Sequence, residues 1–395
     1  MAVRQRVDER LTREELKMIL FLLTFFSLYS LVHVYVFLKA RAAFGFGIKG
    51  GSLLIIVMVV MVLAPLAVRV AEQNGFERFA RVLAYVGYTW LGCVFLCVSF
   101  SLVTELYNGI VSMVCLILRR ELGALTISTR NSFLIPLVFS IMIAVYGYFE
   151  AQDIRTERIV LRTSKLPQDI GSVKIVQISD VHVGLIMRHG RLRRIIEEVK
   201  RANPDILVST GDLVDGQINR LDGLAELLND IPARYGKFAV TGNHEFYAGI
   251  SQALDFTAKA GFTILRDHGI SVEGIITVAG VDDPTGTYYG EANNASERSL
   301  LSGLPAEKFT LLLKHRPFIE KSSLGLFDLQ LSGHVHKGQI FPFSLVTRMY
   351  YQNIAGLSEP SHDSHLYVSR GSGTWGPPIR VLAPPEVTII ELVYG

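Results

Sequence analysis

Two histidines two positions apart, His334 and His336, follow the apolar run DLQLS (328–332) and a glycine. An imidazole is costly to desolvate without a partner and is a poor strand filler, so the pair points to something bound there. Four other apolar runs end in the same kind of residue. VKIVQIS (173–179) leads to Asp180 and His182, and DILVST (205–210) leads to Gly211-Asp212. GKFAVT (236–241) leads to Gly242-Asn243-His244-Glu245, and KFTLLLK (308–314) leads to His315. Singly, each has a structural reading: Asp212 as a turn residue, Asn243 as a left-handed residue, His315 as a helix cap. Five such ends in order make a donor set of carboxylates, imidazoles and one amide, which suits borderline divalent cations such as Mn, Fe or Zn. No cysteine contributes, which disfavours a closed structural zinc site. Seven donors are too many for one ion and suit two divalent metal ions with a shared ligand. Two adjacent cations lower the pKa of a shared water and hold the oxygens of a phosphate ester.

The elements that position these residues are legible in the same stretches. The runs 173–179 and 205–210 are nearly continuous in apolar residues, as expected of strands buried on both faces. GRLRRIIEEVKRA (190–202) has helical spacing, and ERIVLRT (157–163) alternates as a strand. Strands mostly separated by helices form an α/β sheet, whose ligands gather at the carboxyl ends of the strands.

The five-part pattern resembles that of the calcineurin-like metallophosphoesterase superfamily. Its D-x-H, GD-x-x-D, GNH(E/D), lone His and GH-x-H stand here as Asp180-Val-His182, Gly211-Asp212-Leu-Val-Asp215, Gly242-Asn243-His244-Glu245, His315 and Gly333-His334-Val-His336. The resemblance covers about residues 155–395. The ending SRGSGTWGPPIRVLAPPEVTIIEL (369–392) is similar to that of the membrane-anchored bacterial branch. It implies a two-sheet αββα sandwich holding a dinuclear centre. It further implies that Asp180, His182 and His336 bind one metal, that Asn243, His315 and His334 bind the other, and that Asp212 bridges. By the same resemblance His244 is the catalytic, non-ligand histidine, and Asp215 and Glu245 support the ligands. Lys337 and Arg316 depart from the family pattern. With Arg188 and Arg370 they are candidate substrate-binding cations, against the plainer reading of solvated surface charge.

The rest of the chain is of another kind. Of 395 residues, half are hydrophobic, and the mean hydropathy is +0.34. The apolar excess lies in 18–38, 52–68, 82–104 and 132–149, each close to the roughly 20 residues that cross a bilayer. Apolar character continues through 106–118, which is too short to span alone, so 82–118 reads as one long or re-entrant helix and the spans as four. The expected organisation is a transmembrane helical domain over 1–150 and a phosphoesterase domain over 151–395. Nine of the ten histidines fall after residue 150, and all three cysteines before it. A net charge of +3 gives nucleic acid no support as a partner.

The leading functional expectation is a membrane-anchored phosphohydrolase. It would cleave phosphodiester or pyrophosphate bonds by attack of a metal-bridging hydroxide, on a lipid-linked or nucleotide-linked substrate. Two other classes compete: a metal-binding sensor or regulatory module with little turnover, and a transporter regulated by the hydrolase. No buried charge cluster marks a path through the spans, which ranks the transporter last. Basic residues Arg4, Arg6, Arg10, Arg13 and Lys17 before the first span, with Arg155, Arg158, Arg162 and Lys165 after the last, favour an inner-membrane protein with a cytoplasmic catalytic domain. Lys39, Arg41 and Lys49 in the first loop oppose it.

Overall fold

A computed structural model of the protein describes residues 2–120, 123–216, 221, 223–291 and 296–395, with side chains in the first helix at 16, 19 and 20 and from residue 22 onward. The side chains of Arg4, Arg6, Arg10, Arg13 and Lys17 therefore lie outside the described residues. The chain forms two compact units, Met1–Tyr146 and Gly147–Gly395.

The first unit is helical: α1 (Ala2–Phe44), α2 (Ile48–Gln73), α3 (Glu77–Leu118) and α4 (Asn131–Glu150), whose last turn belongs to the second unit. All four contain stretches long and apolar enough to cross a membrane. Residues 82–118 lie in a single uninterrupted helix. The helices α2 and α3 approach closely through small residues, since a Cβ added at Gly87 would meet the Cβ of Ala64 at 2.7 Å. His33 accepts an interhelical hydrogen bond from Trp90 Nε1 at 2.9 Å. The helices also share a half-exposed polar cluster. Lys39 pairs with Glu105 at 2.9 Å, Tyr35 donates to the same carboxylate at 2.8 Å, and Lys39 also donates to Ser132 at 2.9 Å. The partners are far apart in sequence, so no local pattern announces them.

The second unit holds two mixed six-stranded sheets. The first runs in the order β1 (Arg155–Thr163), β12 (Glu386–Tyr394), β2 (Ser172–Ile178), β3 (Ile206–Ser209), β4 (Lys237–Ala239), β5 (Thr263–Ile264). The second runs β10 (Gly356–Ser361), β11 (Ser364–Val368), β9 (Leu329–Ser332), β8 (Phe309–Leu313), β7 (Ile276–Gly280), β6 (His268–Val272). Period-two alternation divides each strand between two cores. Ile175, Ile206 and Val208 meet Ile276, Leu311 and Leu329 between the sheets. Val176 and Leu207 face the opposite way, onto α5 (His189–Ala202), α6 (Leu224–Asn229) and α8 (Ile250–Lys259), which supply Ile195, Leu224 and Phe256. Beyond them, α7 (Asn243–Ala248) follows β4, and α9 (Glu297–Ser302) packs Leu301 with Leu312 and Phe327 on the second sheet. The last helix, α10 (Phe343–Tyr350), follows β9.

Strands β2, β3 and β4 are parallel neighbours, and so are β8 and β9. All five therefore deliver their carboxyl ends to one edge of the sandwich. The connections there are bonded across: Asp180 N–H donates to Gly211 O at 3.0 Å, and Gly333 N–H to His315 O at 2.8 Å.

Candidate metal centre

Asp180, His182, Asp212, Asn243, His315 and His336 are buried, and His334 is nearly so. Their donor atoms gather into overlapping groups. Asp180, His182 and His336 form one, and Asp212, His315 and His334 another, each with ligand atoms within 4.8 Å. His182, Asp212 and His244 form a third group by the same measure. His182 Nε2 lies 3.2 Å from His336 Nε2 and 3.9 Å from Asp212 Oδ2. His315 Nε2 lies 3.2 Å from Asp212 Oδ2 and 3.1 Å from His334 Nδ1. Asp212 thus stands between the two sets.

These residues are held under backbone strain. Asp180, His182, Asp212, His334 and His336 all have φ between 47° and 72°. Non-glycine residues seldom adopt this region, and clusters of them mark sites the surrounding fold over-determines. Close approach is also required at Gly333, where an added Cβ would run into Ser179 Oγ and Asp180 Oδ2.

Protons and hydrogen bonds fit a cation-binding role. His315 Nδ1–H donates to the Thr210 carbonyl at 2.8 Å, which fixes the ring and leaves Nε2 facing Asp212. Asn243 Oδ1 is buried with no hydrogen-bond partner among the described residues, as a ligand oxygen would be. Burial, helped by the charge at His244, lowers His182 to about 4. Burial and the charge at His315 lower His334 to about 3. Burial and Arg380 hold His336 well below its usual value. These three rings are accordingly neutral, the form that ligates. His315 departs in the other direction: burial opposes its charge, but Asp212 pushes it up to about 10. A carboxylate that stabilises a proton there also stabilises a cation.

The residues around the cluster divide into supports and rim. Glu245 accepts from Gly242 N–H at 2.6 Å, Asp212 N–H at 3.0 Å and Leu213 N–H at 2.8 Å, tying the two ligand loops together. Asp215 Oδ1 lies 3.0 Å from His244 Nδ1. Burial works against charge on His244, but Asp212 and then Asp215 push it up to about 9. Tyr247 and Trp375 pack against the His244 ring, with centroids at 5.3 and 6.0 Å, and Tyr351 packs against His334 at 5.8 Å.

The four candidate substrate cations are placed differently. Arg370 pairs with Glu386 at 2.7 Å and with Glu157 at 2.5 Å, so its charge is already matched. Arg316 pairs with Asp283 at 2.7 Å and donates to Thr285 at 2.9 Å. Lys337 is half-buried beside His336 with φ 52°, and Arg188 is half-buried where α5 begins.

One residue was not anticipated. Arg380 is fully buried, donates to the carbonyls of Arg370, Gly373 and Ala383 at 2.6 to 2.9 Å, and reaches His336 Nδ1 at 3.0 Å. It stands in GPPIRVLAPPE (376–386), a proline- and glycine-rich stretch without periodicity, and only its place between hydrophobic residues hinted at burial.

A cluster of oxygen and imidazole donors at the strand ends of a two-sheet sandwich defines a metal-dependent hydrolase. A family model for the calcineurin-like phosphoesterases matches residues 173–338. An uncharacterised metallophosphoesterase of Aquifex aeolicus is 38% identical over 257 residues, 65% of this chain and 98% of the relative. One from Campylobacter jejuni is 33% identical over 66% of this chain and 68% of its own length. A zebrafish (Danio rerio) relative, named a transmembrane protein with metallophosphoesterase domain, is 29% identical over 78% of this chain and 74% of its own. The chain belongs to the calcineurin-like metallophosphoesterase family and is a metal-dependent phosphoester hydrolase.

Proposed function

We propose that the protein is a membrane-anchored phosphohydrolase whose catalytic unit holds two divalent cations and cleaves phosphodiester or pyrophosphate bonds in amphiphilic substrates. The observation that carries this reading is Asp212, set between the Asp180–His182–His336 and His315–His334 groups. Asp180, His182 and His336 would hold one cation, Asn243, His315 and His334 the other, and Asp212 both. Bound there, the cations would supply Lewis acidity toward the phosphate oxygens and lower the pKa of a coordinated water. His244, oriented by Asp215, is placed to give a proton to the leaving oxygen. Glu245 keeps the Asp212 and Asn243 loops in register. Lys337 is a cation with which a substrate anion would pair; Arg316 and Arg370 are already shared with Asp283 and Glu386.

Four spans return the catalytic unit to the side of the N-terminus, which basic residues favour as cytoplasmic. The test of function is turnover by detergent-purified full-length protein. After chelation, Mn, Fe or Zn is added back and aryl phosphomonoesters and phosphodiesters are compared. Metal-dependent turnover with the diester preferred supports the reading. A protein that binds metal and turns over neither substrate would be a regulatory module instead.

A further inference from the structure

Helix α10 is turned inside out. Ser344 and Thr347 face the domain half-buried, and the helix sits so close that a Cβ added at Gly338 would meet Ser344 Cα at 2.5 Å. The outward residues are apolar: Phe343, Leu345, Val346, Met349 and Tyr350 on the helix, and Phe341 just before it, are all exposed. Met349 is 85% and Tyr350 82% exposed, far more than a helix serving only its own core would leave. A continuous apolar face of this kind marks an interaction surface.

The backbone indicates what covers it. Within the second unit, the last turn of α4 is bonded to the segment beside α10. Arg380 N–H donates to Gly147 O at 2.9 Å, and Leu382 N–H to Glu150 Oε2 at 3.1 Å. That segment pairs in turn with the residues leading into α10: Val381 N–H donates to Gln339 O at 2.9 Å and Phe341 N–H to Val381 O at 3.1 Å. Phe341 is therefore two hydrogen-bonded links from the last turn of an apolar helix long enough to cross a membrane. Tyr148 and Phe149 on that last turn are exposed as well. We infer that α10 lies in the bilayer interface next to the point where α4 leaves it, with Phe341, Phe343, Leu345, Val346, Met349 and Tyr350 against lipid. Aromatic residues with Met, Leu and Val, and Arg348 among them, are the composition of an interfacial helix, which sinks its apolar face roughly 5–10 Å into the headgroup and acyl boundary.

The placement has a consequence for the metal centre, one that rests on the phosphohydrolase reading. The chain runs from His336 into α10 within a few residues, and Tyr351, at the other end of the helix, packs on the His334 ring at 5.8 Å. A docked α10 brings the rim of the metal cluster to headgroup depth, so substrates enter from the bilayer plane.

The test uses the full chain in nanodiscs of phosphatidylethanolamine and phosphatidylglycerol. Val346→Trp is made in a Trp90→Phe/Trp375→Phe background, and quenching of the single indole is measured. Lipids brominated high on the acyl chain should quench it strongly, and aqueous iodide weakly. Quenching by iodide alone places α10 in water and overturns the inference. Protection from both quenchers assigns the face to protein, such as a second copy of this chain, and overturns it as well. This readout needs no turnover, so it is separate from the fate of the phosphohydrolase reading. Leu345→Glu/Met349→Glu then tests substrate entry. Turnover of a water-soluble aryl phosphodiester should be unchanged, and that of a bilayer-embedded phosphodiester should fall at least about tenfold. Equal loss or equal retention on both substrates refutes entry from the bilayer.

Discussion

Replacing Glu245 with glutamine tests whether the ligand loops are held in register by one side chain. Its two oxygens accept four backbone N–H groups: Gly242 and Asp212 on one, Leu213 and Val214 on the other. Burial and the nearby Asp212 push its carboxyl upward, yet every contact around it is a donor, so the carboxylate is the form that fits. In Glu245→Gln one oxygen becomes an NH2 group facing two N–H donors. A buried donor without a partner costs about 1–3 kcal/mol. With two stranded, the catalytic unit should lose about 2–6 kcal/mol, or on the order of 10 °C in thermal midpoint for a unit of this size. The Asp212 and Asn243 loops are the ones released, so metal affinity should fall with stability. Circular dichroism melting of the sheet signal, with metal content measured on the same sample, checks both. A variant with the parent's melting temperature and metal content refutes the clamp.

Three further outcomes are expected. His244→Ala should keep both metals and slow turnover by roughly 10²–10⁴, with a smaller loss for substrates that have good leaving groups; loss of metal would make His244 a ligand. Arg380→Met removes the guanidinium that meets His336 Nδ1 and four carbonyls, so metal analysis should show one ion per chain where the parent has two; retention of both would leave Arg380 a purely structural link. A fluorescent protein fused after Gly395 should glow, and alkaline phosphatase at the same position should stay silent; the reverse places the catalytic unit outside.

The parts legible in sequence were those with local period. Buried parallel strands such as 173–179 and 206–209 read as apolar runs, and the donors stood at their ends in fixed short motifs. Strand β12 did not declare itself, because its place between β1 and β2 depends on pairing with residues more than two hundred positions earlier. The hairpin of β6 and β7 and the pair β10 and β11 were missed for want of a strong apolar run in β6 and β10, whose residues are mostly exposed or half-buried. The supports were partly visible. Asp215 and Glu245 stand inside their motifs, but that Glu245 ties two loops together needs the third dimension. Arg380 and the Lys39–Glu105 pair are contacts across long separations, which no window of sequence contains.

The central claim is that Asp212 joins two cation sites. Its most direct measurement is metal content per chain, by elemental analysis of the chelated and reconstituted full-length protein and of Asp212→Ala. The account predicts two ions for the parent, and for a folded Asp212→Ala, weakened binding at both sites with loss of activity. Two ions and full activity in the variant would contradict it.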